Sequence, residues 1–221
     1  ESKGRKLHGQ AAIAREKECF SESLTSNDDA LFAYDEEGDA LGFSEGIACR
    51  SITLRVYANL HGSKRILTLA KYEMLAAVDL ARDSGINEAL PLPLYNLAQV
   101  QEDLAELDQA VKNYREAIDC MSKNPPEQHN RPSVLANMRV VLATCEYKIG
   151  DKTALERAKE ALQELEEAGE PDKYTRDVWI SGGHMRIAEA IKDDDLEGAK
   201  SQMAKAKQII DSNPDLKLRK Q

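Results

Sequence analysis

Aromatic residues are scarce in this 221-residue chain, and long apolar runs are missing from it. Phe, Trp and Tyr make up 5% of the sequence, although apolar residues together make up 42%. The longest fully apolar run has about five residues, from Met74 to Val78, whereas a membrane-spanning helix needs about 20. The sequence therefore predicts no membrane span, and its apolar fraction excludes an intrinsically disordered chain. Few aromatics together with abundant Ala and Leu predict an all-α protein.

Positive charge is also in the minority. The chain has 30 Lys and Arg against 39 Asp and Glu, which gives a formal net charge of −9. A protein that binds duplex nucleic acid needs a basic surface to replace the counterions around the phosphates. The charge balance therefore predicts no nucleic-acid partner. Short basic segments occur near both ends of the sequence, where we interpret them as solvated tails: Lys3, Arg5, Lys6, Lys217, Arg219 and Lys220.

The four cysteines lie far apart, with no C-x-x-C pair and no histidine at zinc-finger spacing: Cys19, Cys49, Cys120 and Cys145. We predict free thiols among apolar helical positions, no metal site and no cofactor. Free thiols favour the cytoplasm, but the even number leaves an exported, disulfide-bonded protein open. The first residue is Glu, so either a targeting segment or flanking sequence has been removed, and the sequence does not separate these alternatives.

A repeated pattern organises most of the chain. A small residue is followed four positions later by a large one, and three positions after that by another small or apolar residue. These offsets lie on one face of a helix, and the pattern recurs at periods of 40, 48 and 41 residues, as expected of stacked helix pairs. Its four instances are Ala70-Met74-Ala77, Ala110-Tyr114-Ala117, Ala158-Leu162-Leu165 and Ala199-Met203-Ala206.

Gly and Pro turn signals place the helix boundaries. They predict helices over about 42–60, 64–83, 90–104, 108–122, 132–149, 153–168, 173–192 and 196–211. Before residue 42 the pattern weakens, and we predict helices over 5–25 and from Asn27, as N-cap, to Glu37. The predicted organisation is a degenerate N-terminal helix pair over 1–41, four helix pairs over 42–214, and a basic C-terminal tail over 215–221.

One stretch carries a family resemblance. Tyr95-Asn96-Leu97-Ala98, followed by Leu104, Ala110, Tyr114 and Ala117, resembles the consensus of the tetratricopeptide repeat (TPR) family. The segment from Gly38 to Glu45 is similar to the junction in the longer, roughly 40-residue repeats of kinesin light chain and Pins-type scaffolds. The resemblance covers about residues 28–214 and is most specific over 92–125. It implies an all-α, right-handed superhelical solenoid of antiparallel helix pairs.

The same resemblance implies a protein-binding surface. In the family, one face of each first helix lines a concave groove that receives a peptide or a partner helix. On the best-matched repeat this face carries Tyr95, Asn96, Gln99, Glu102 and Asp103, and on the next first helix it carries Asn137, Val141, Thr144 and Lys148. An Asn there either contacts a ligand backbone or caps and bridges helices.

The charge on this face bears on the partner. Some family members bind an acidic C-terminal tail through a Lys, but Asp103 stands at that position here, which disfavours such tails. We therefore predict a protein or peptide partner with basic and apolar side chains. The alternative is a structural scaffold subunit that oligomerises through its solenoid ends or convex face.

Only one stretch suggests catalysis, Ser181-Gly182-Gly183-His184. It lacks the G-x-S-x-G nucleophile elbow, and no predicted strand precedes it. Two glycines in a helix instead indicate a close helix approach or a kink. The sequence therefore predicts a protein that is not an enzyme.

Overall fold

Ten α-helices and two short 3-10 helices make up the regular structure of residues 2–216, which are the residues that the computed structural model describes. No strand occurs within that range, so the predicted all-α fold is confirmed. The α-helices are α1 (Lys3–Glu16), α2 (Phe20–Glu37), α3 (Ala40–His61), α4 (Lys64–Asp83), α5 (Pro91–Asp103), α6 (Leu107–Lys123), α7 (Pro132–Lys148), α8 (Ala154–Glu167), α9 (Lys173–Ile191) and α10 (Leu196–Ser212).

Consecutive helices pack as five pairs: α1 with α2, α3 with α4, α5 with α6, α7 with α8, and α9 with α10. The connections within pairs are two to five residues long, so the two helices of a pair run antiparallel. Among α1 to α6, the first helices of successive pairs also touch, because α3 contacts both α1 and α5, and among α7 to α10, α7 contacts α9. Within each of these two sets of helices, neighbouring pairs therefore bury apolar faces against each other, as in a helical repeat.

The chain divides into two compact units. The N-terminal unit is Glu1–Pro126 and holds α1 to α6, and the C-terminal unit is Glu127–Gln221 and holds α7 to α10. The division into a degenerate pair over 1–41, four TPR-like pairs over 42–214 and a tail over 215–221 stays a prediction. Residues 217–221 of the predicted tail lie outside the described residues.

The repeated small-large-small pattern forms the contacts between paired helices. Ala110, Tyr114 and Ala117 of α6 are completely buried, and the instances in α4 and α8 are buried as well. The fourth instance differs, because the side chain of Met203 is 46% exposed. Since α10 packs on α9 through its other side chains, its Met203 side faces solvent.

The first two helices differ from their predicted boundaries. The predicted helix over 5–25 is two helices, because α1 ends at Glu16 and α2 begins at Phe20. The chain turns at Glu18, whose φ of 59° lies in the left-handed region. Asn27 is buried inside α2, where its Nδ2 donates to Oγ1 of Thr53 at 3.5 Å. The predicted N-cap is therefore wrong, because this Asn serves a contact with another helix.

Tyr34 of α2 is completely buried, and two glycines pack directly against its ring. A Cβ atom added to Gly4 of α1 would lie 2.4 Å from Cδ1 of Tyr34. A Cβ atom added to Gly42 of α3 would lie 2.4 Å from Cε1 of the same ring. Glycine at both positions therefore lets α1 and α3 approach this aromatic ring, which links the first helix pair to the second.

Gly42→Ala should lower the free energy of unfolding by about 2 kcal/mol, because the new methyl group overlaps the completely buried ring of Tyr34. Gly9→Ala is the matched control on α1, where an added Cβ meets no atom within 4 Å. There the better helix propensity of Ala should raise the free energy of unfolding by up to about 1 kcal/mol. Urea denaturation of both variants measures the difference, and equal effects would contradict the assigned packing.

The core of the C-terminal unit includes the close contact that the glycine pair predicts. A Cβ atom on Gly183 of α9 would lie 2.7 Å from Cδ1 of Leu162 on α8. Leu162 and its neighbour Leu165 belong to a cluster of buried side chains from α7, α8, α9 and α10. Gly183 is therefore a packing residue between α8 and α9.

Candidate functional site

The predicted ligand face on α5 is partly buried and partly open. Asn96, Gln99 and Glu102 are half-buried, and Asp103 is exposed. Tyr95 is only 9% exposed, and its ring lies 5.6 Å from the ring of Tyr114. Tyr95 is therefore mainly a core residue, while the other four present polar atoms at the surface.

Two side chains of α3 meet this face. Arg55 donates from Nη1 to Oε1 of Gln99 at 2.7 Å and from Nε to Oδ2 of Asp103 at 2.5 Å. Asn59 donates from Nδ2 to the same carboxylate oxygen of Asp103 at 2.8 Å. We call the surface formed by Arg55, Asn59, Asn96, Gln99 and Asp103 the α3–α5 face. Its charges are already paired within the protein.

Glu102 lies beside this face, but its side chain contacts α6, the partner of α5 in the same helix pair. Its Oε2 accepts a hydrogen bond from the hydroxyl of Tyr114 on α6 at 2.8 Å. The side chain of Tyr114 is completely buried. Glu102 therefore has a structural partner, which sequence reasoning did not identify.

The carboxamide of Asn96 has no hydrogen-bond partner among the residues that the structure describes. It neither caps a helix nor bridges to another helix within that range. A half-buried amide without a protein partner can both donate to and accept from the backbone of a bound segment. This distinguishes Asn96 from Gln99, Glu102 and Asp103, which all have partners.

The four predicted residues of α7 are placed differently from one another. Asn137 is half-buried and Lys148 is exposed, whereas Val141 and Thr144 are 3% and 1% exposed. The hydroxyl of Thr144 donates to the carbonyl oxygen of Val141 at 2.9 Å. Val141 and Thr144 therefore offer no open surface to a ligand.

Arg55 and Asn59 are the site residues that sequence reasoning missed. Each lies 44 residues before its partner on α5, because Arg55 pairs with Gln99 and Asn59 pairs with Asp103. That separation lies within the range of the repeat periods, 40 to 48 residues, so the repeat period was the signal that could have placed them. The first helix of the preceding repeat lacks the specific TPR residues, so its sequence alone does not indicate its register.

Within the described residues, the side chains of Ser181 and His184 have separate hydrogen-bond partners. The hydroxyl of Ser181 lies 3.2 Å from the carbonyl oxygen of Val178 and donates to it, while Nδ1 of His184 lies 2.7 Å from Oε1 of Gln202. No group of three or more His, Cys, Asp or Glu side chains in residues 2–216 could hold a metal ion. Across the same residues, no helix is long and apolar enough to span a membrane.

Neither a family model nor a curated protein matches the sequence. Among solved structures, the chain is similar to BtubC (BKLC) from P. vanneervenii, with 16% identity over 94% of this chain and 80% of that one, at a TM-score of 0.63. It is similar to a putative kinesin light chain from P. anserina with nearly identical TPR-like repeats, with 12% identity over 94% of each chain, at a TM-score of 0.61.

A third similar structure is a Rap protein complexed with competence and sporulation factor. The identity is 14%, the match covers 96% of this chain and 54% of that one, and the TM-score is 0.65. Identities this low establish the fold and leave function to be argued from the site. The chain therefore has the fold of a TPR-like helical repeat.

Proposed function

We propose that this protein is a non-enzymatic interaction module that holds an extended segment of a partner protein on its α3–α5 face. The observation that carries the proposal is the carboxamide of Asn96, which is half-buried, at the surface and without a partner among the described residues. Such a group contributes little to the fold and is suited to the repeating donors and acceptors of a peptide backbone.

The other side chains of this face support a role in positioning. Hydrogen bonds to Gln99 and Asp103 fix the guanidinium group of Arg55 in one position. Fixed side chains lose little conformational entropy when a ligand binds, which favours affinity. The similar Rap structure is a complex with competence and sporulation factor, which supports a ligand-binding role for this chain.

A second candidate is a scaffold subunit that associates with itself through α10. Leu196 is 59% exposed and Met203 is 46% exposed, and both lie on this helix seven residues apart. Residues seven apart share one helix face, so they present an apolar surface to solvent. Sedimentation analysis tests this candidate, because a dimer that Met203→Lys dissociates would favour self-association.

Asn96→Ala should weaken peptide binding about 5- to 150-fold, which is about 1 to 3 kcal/mol, because the ligand loses hydrogen bonds to the carboxamide. The melting temperature should not change, since the amide has no partner in the described structure. The peptide is selected by panning a random phage-displayed library on the immobilised chain, and its affinity is measured by fluorescence anisotropy.

Asn87→Ala is the matched control, because Asn87 is exposed and lies outside the α3–α5 face. It should leave both affinity and melting temperature unchanged. Unaltered binding by Asn96→Ala would remove the proposed site, and a lowered melting temperature would assign Asn96 a structural role. Charge reversal at Asp103 does not separate a binding role from a structural role. A Lys at that position would face Arg55 and would lower stability by itself.

A further inference from the structure

A second surface of the N-terminal unit is a cleft where the C-terminal ends of α2 and α4 meet the beginning of α3. Two adjoining cavities of about 470 and 420 Å³ form it, and they share Asp35 and Phe43 as lining residues. We call it the Phe43 cleft and define it by six lining residues: Leu31, Phe32, Asp35, Phe43, Leu80 and Asp83. None of these residues belongs to the α3–α5 face.

The cleft exposes large apolar side chains. Phe32 is 70% exposed and Leu80 is 39% exposed, while Phe43 is half-buried between the two cavities. Exposed apolar surface that is concave and rimmed by polar groups is characteristic of interaction sites. The volume of either cavity accommodates a large apolar side chain.

The rim of the cleft is acidic, and two of its carboxylates have structural partners. Asp28 accepts from Nε of Arg50 at 2.8 Å. Asp39 caps α3 by accepting from the backbone N–H of Gly42 at 2.7 Å. These two residues therefore have clear roles in holding α2 and α3.

Asp35 and Asp83, the other two acidic residues of the cleft, have no structural partner within the described residues. Neither side chain has a hydrogen bond or an ion pair there, and no Lys or Arg is among the described residues that line the cleft. Negative charge at their positions also lowers the stability of the folded protein. Asp35 lies in the last turn of α2 and Asp83 is the last residue of α4, where the helix dipole disfavours negative charge. Residues that oppose local stability in this way point to a ligand.

We propose that the Phe43 cleft binds a partner-protein segment in which a large apolar side chain is flanked by Lys or Arg. The apolar side chain enters between Phe32, Phe43 and Leu80. The cations approach Asp35 and Asp83, whose charge is not balanced by the protein. Charge complementarity favours this occupant over a second copy of the chain, because the net charge of −9 makes two copies repel each other.

The test uses a fluorescein-labelled 12-residue peptide of alternating Leu and Lys, with two comparison peptides that carry Glu for Lys or Ser for Leu. The affected variant is the double substitution Asp35→Asn with Asp83→Asn. The matched control is Asp29→Asn with Asp79→Asn, which alters one exposed Asp on each of the same two helices and gives the same net charge.

The wild type should bind the Leu/Lys peptide and bind the other two at least tenfold more weakly. The Asp35/Asp83 variant should lose at least fivefold in affinity, with a melting temperature no lower than that of the wild type, while the Asp29/Asp79 variant keeps the wild-type affinity. Phe32→Ser should weaken the same peptide without affecting the peptide selected for the α3–α5 face.

Three results would overturn the proposal. The first is equal affinity of the two double variants, which would mean that only overall charge attracts the peptide. The second is absence of binding by the Leu/Lys peptide. The third is a concentration-dependent dimer that Phe32→Ser dissociates, because the occupant would then be a second copy of this chain.

Discussion

Tyr34→Ala should lower the free energy of unfolding by about 3 to 5 kcal/mol, the loss expected when a completely buried aromatic side chain is removed. The ring occupies the space that Gly4 of α1 and Gly42 of α3 leave open, so its loss creates a cavity where three helices meet. Two glycines in helices cannot fill that cavity. Urea denaturation followed by circular dichroism measures the change.

Two variants separate the parts of this effect. Tyr34→Phe keeps the ring and removes only the hydroxyl, which shares a hydrogen bond with Nδ1 of His8 at 3.2 Å, so we expect a loss of about 1 kcal/mol. Tyr72→Ala removes a ring that is 61% exposed and should change stability by no more than about 0.5 kcal/mol. A loss for Tyr34→Ala as small as that for Tyr72→Ala would contradict the packing described above.

Acidification should destabilise the protein through His8. Burial, together with the nearby Arg5 and Arg15 guanidinium groups, lowers the pKa of His8 from 6.5 to about 4. Between these two values, His8 is protonated in the unfolded chain and neutral in the folded chain. Its contribution to stability is therefore fully present above pH 6.5 and is lost as the pH falls towards 4. At about 1.36 kcal/mol per pKa unit, His8 alone should lower the free energy of unfolding by about 3 kcal/mol at pH 4.

The measurement is the free energy of unfolding of the wild type and of His8→Gln between pH 7 and pH 4. The variant has no ionisable group at this position, so its stability should fall less steeply over that range. His129 contributes in the same direction, because burial lowers its pKa as well, and it is present in both proteins. Parallel curves for the two proteins would show that His8 is not buried in its neutral form.

Repeat spacing was enough to predict the helix pairs, for a reason that Ala110, Tyr114 and Ala117 make clear. All three are completely buried on one face of α6. Alternation of small and large residues on a helix face is a local property of the sequence, and packing requires it wherever two helices approach closely. The all-α fold could therefore be derived without knowledge of long-range contacts.

The first connection could not be derived in this way. Asn27 has the chemistry of an N-cap, but the structure uses it to contact Thr53 on another helix. The actual turn places Glu18 in the left-handed region without a Gly or Pro to signal it. The contact of Asn27 depends on α3, which lies too far along the sequence for a local pattern to reveal.

Prediction of the candidate site from the sequence is limited in the same way. A register on α5 identified Asn96 and Gln99 as surface residues, but it could not show that Arg55 of α3 already pairs with Gln99 and Asp103. On α7 the same reasoning selected Thr144, which is buried. Helix periodicity gives the direction of a side chain, whereas its partners and its accessibility depend on the neighbouring helices.

Helix α3 gives the two proposed sites a fixed separation. It carries Phe43 near its N-terminal end and Arg55 towards its C-terminal end, 12 residues later, which corresponds to about 18 Å along a straight helix. Because the two surfaces use different side chains, a partner with two recognition segments can occupy both at once. The second segment would then bind from an effective concentration in the millimolar range, and the combined avidity could exceed either affinity by about 10²- to 10⁴-fold. The length of linker that gives the strongest binding would measure the spacing that α3 imposes.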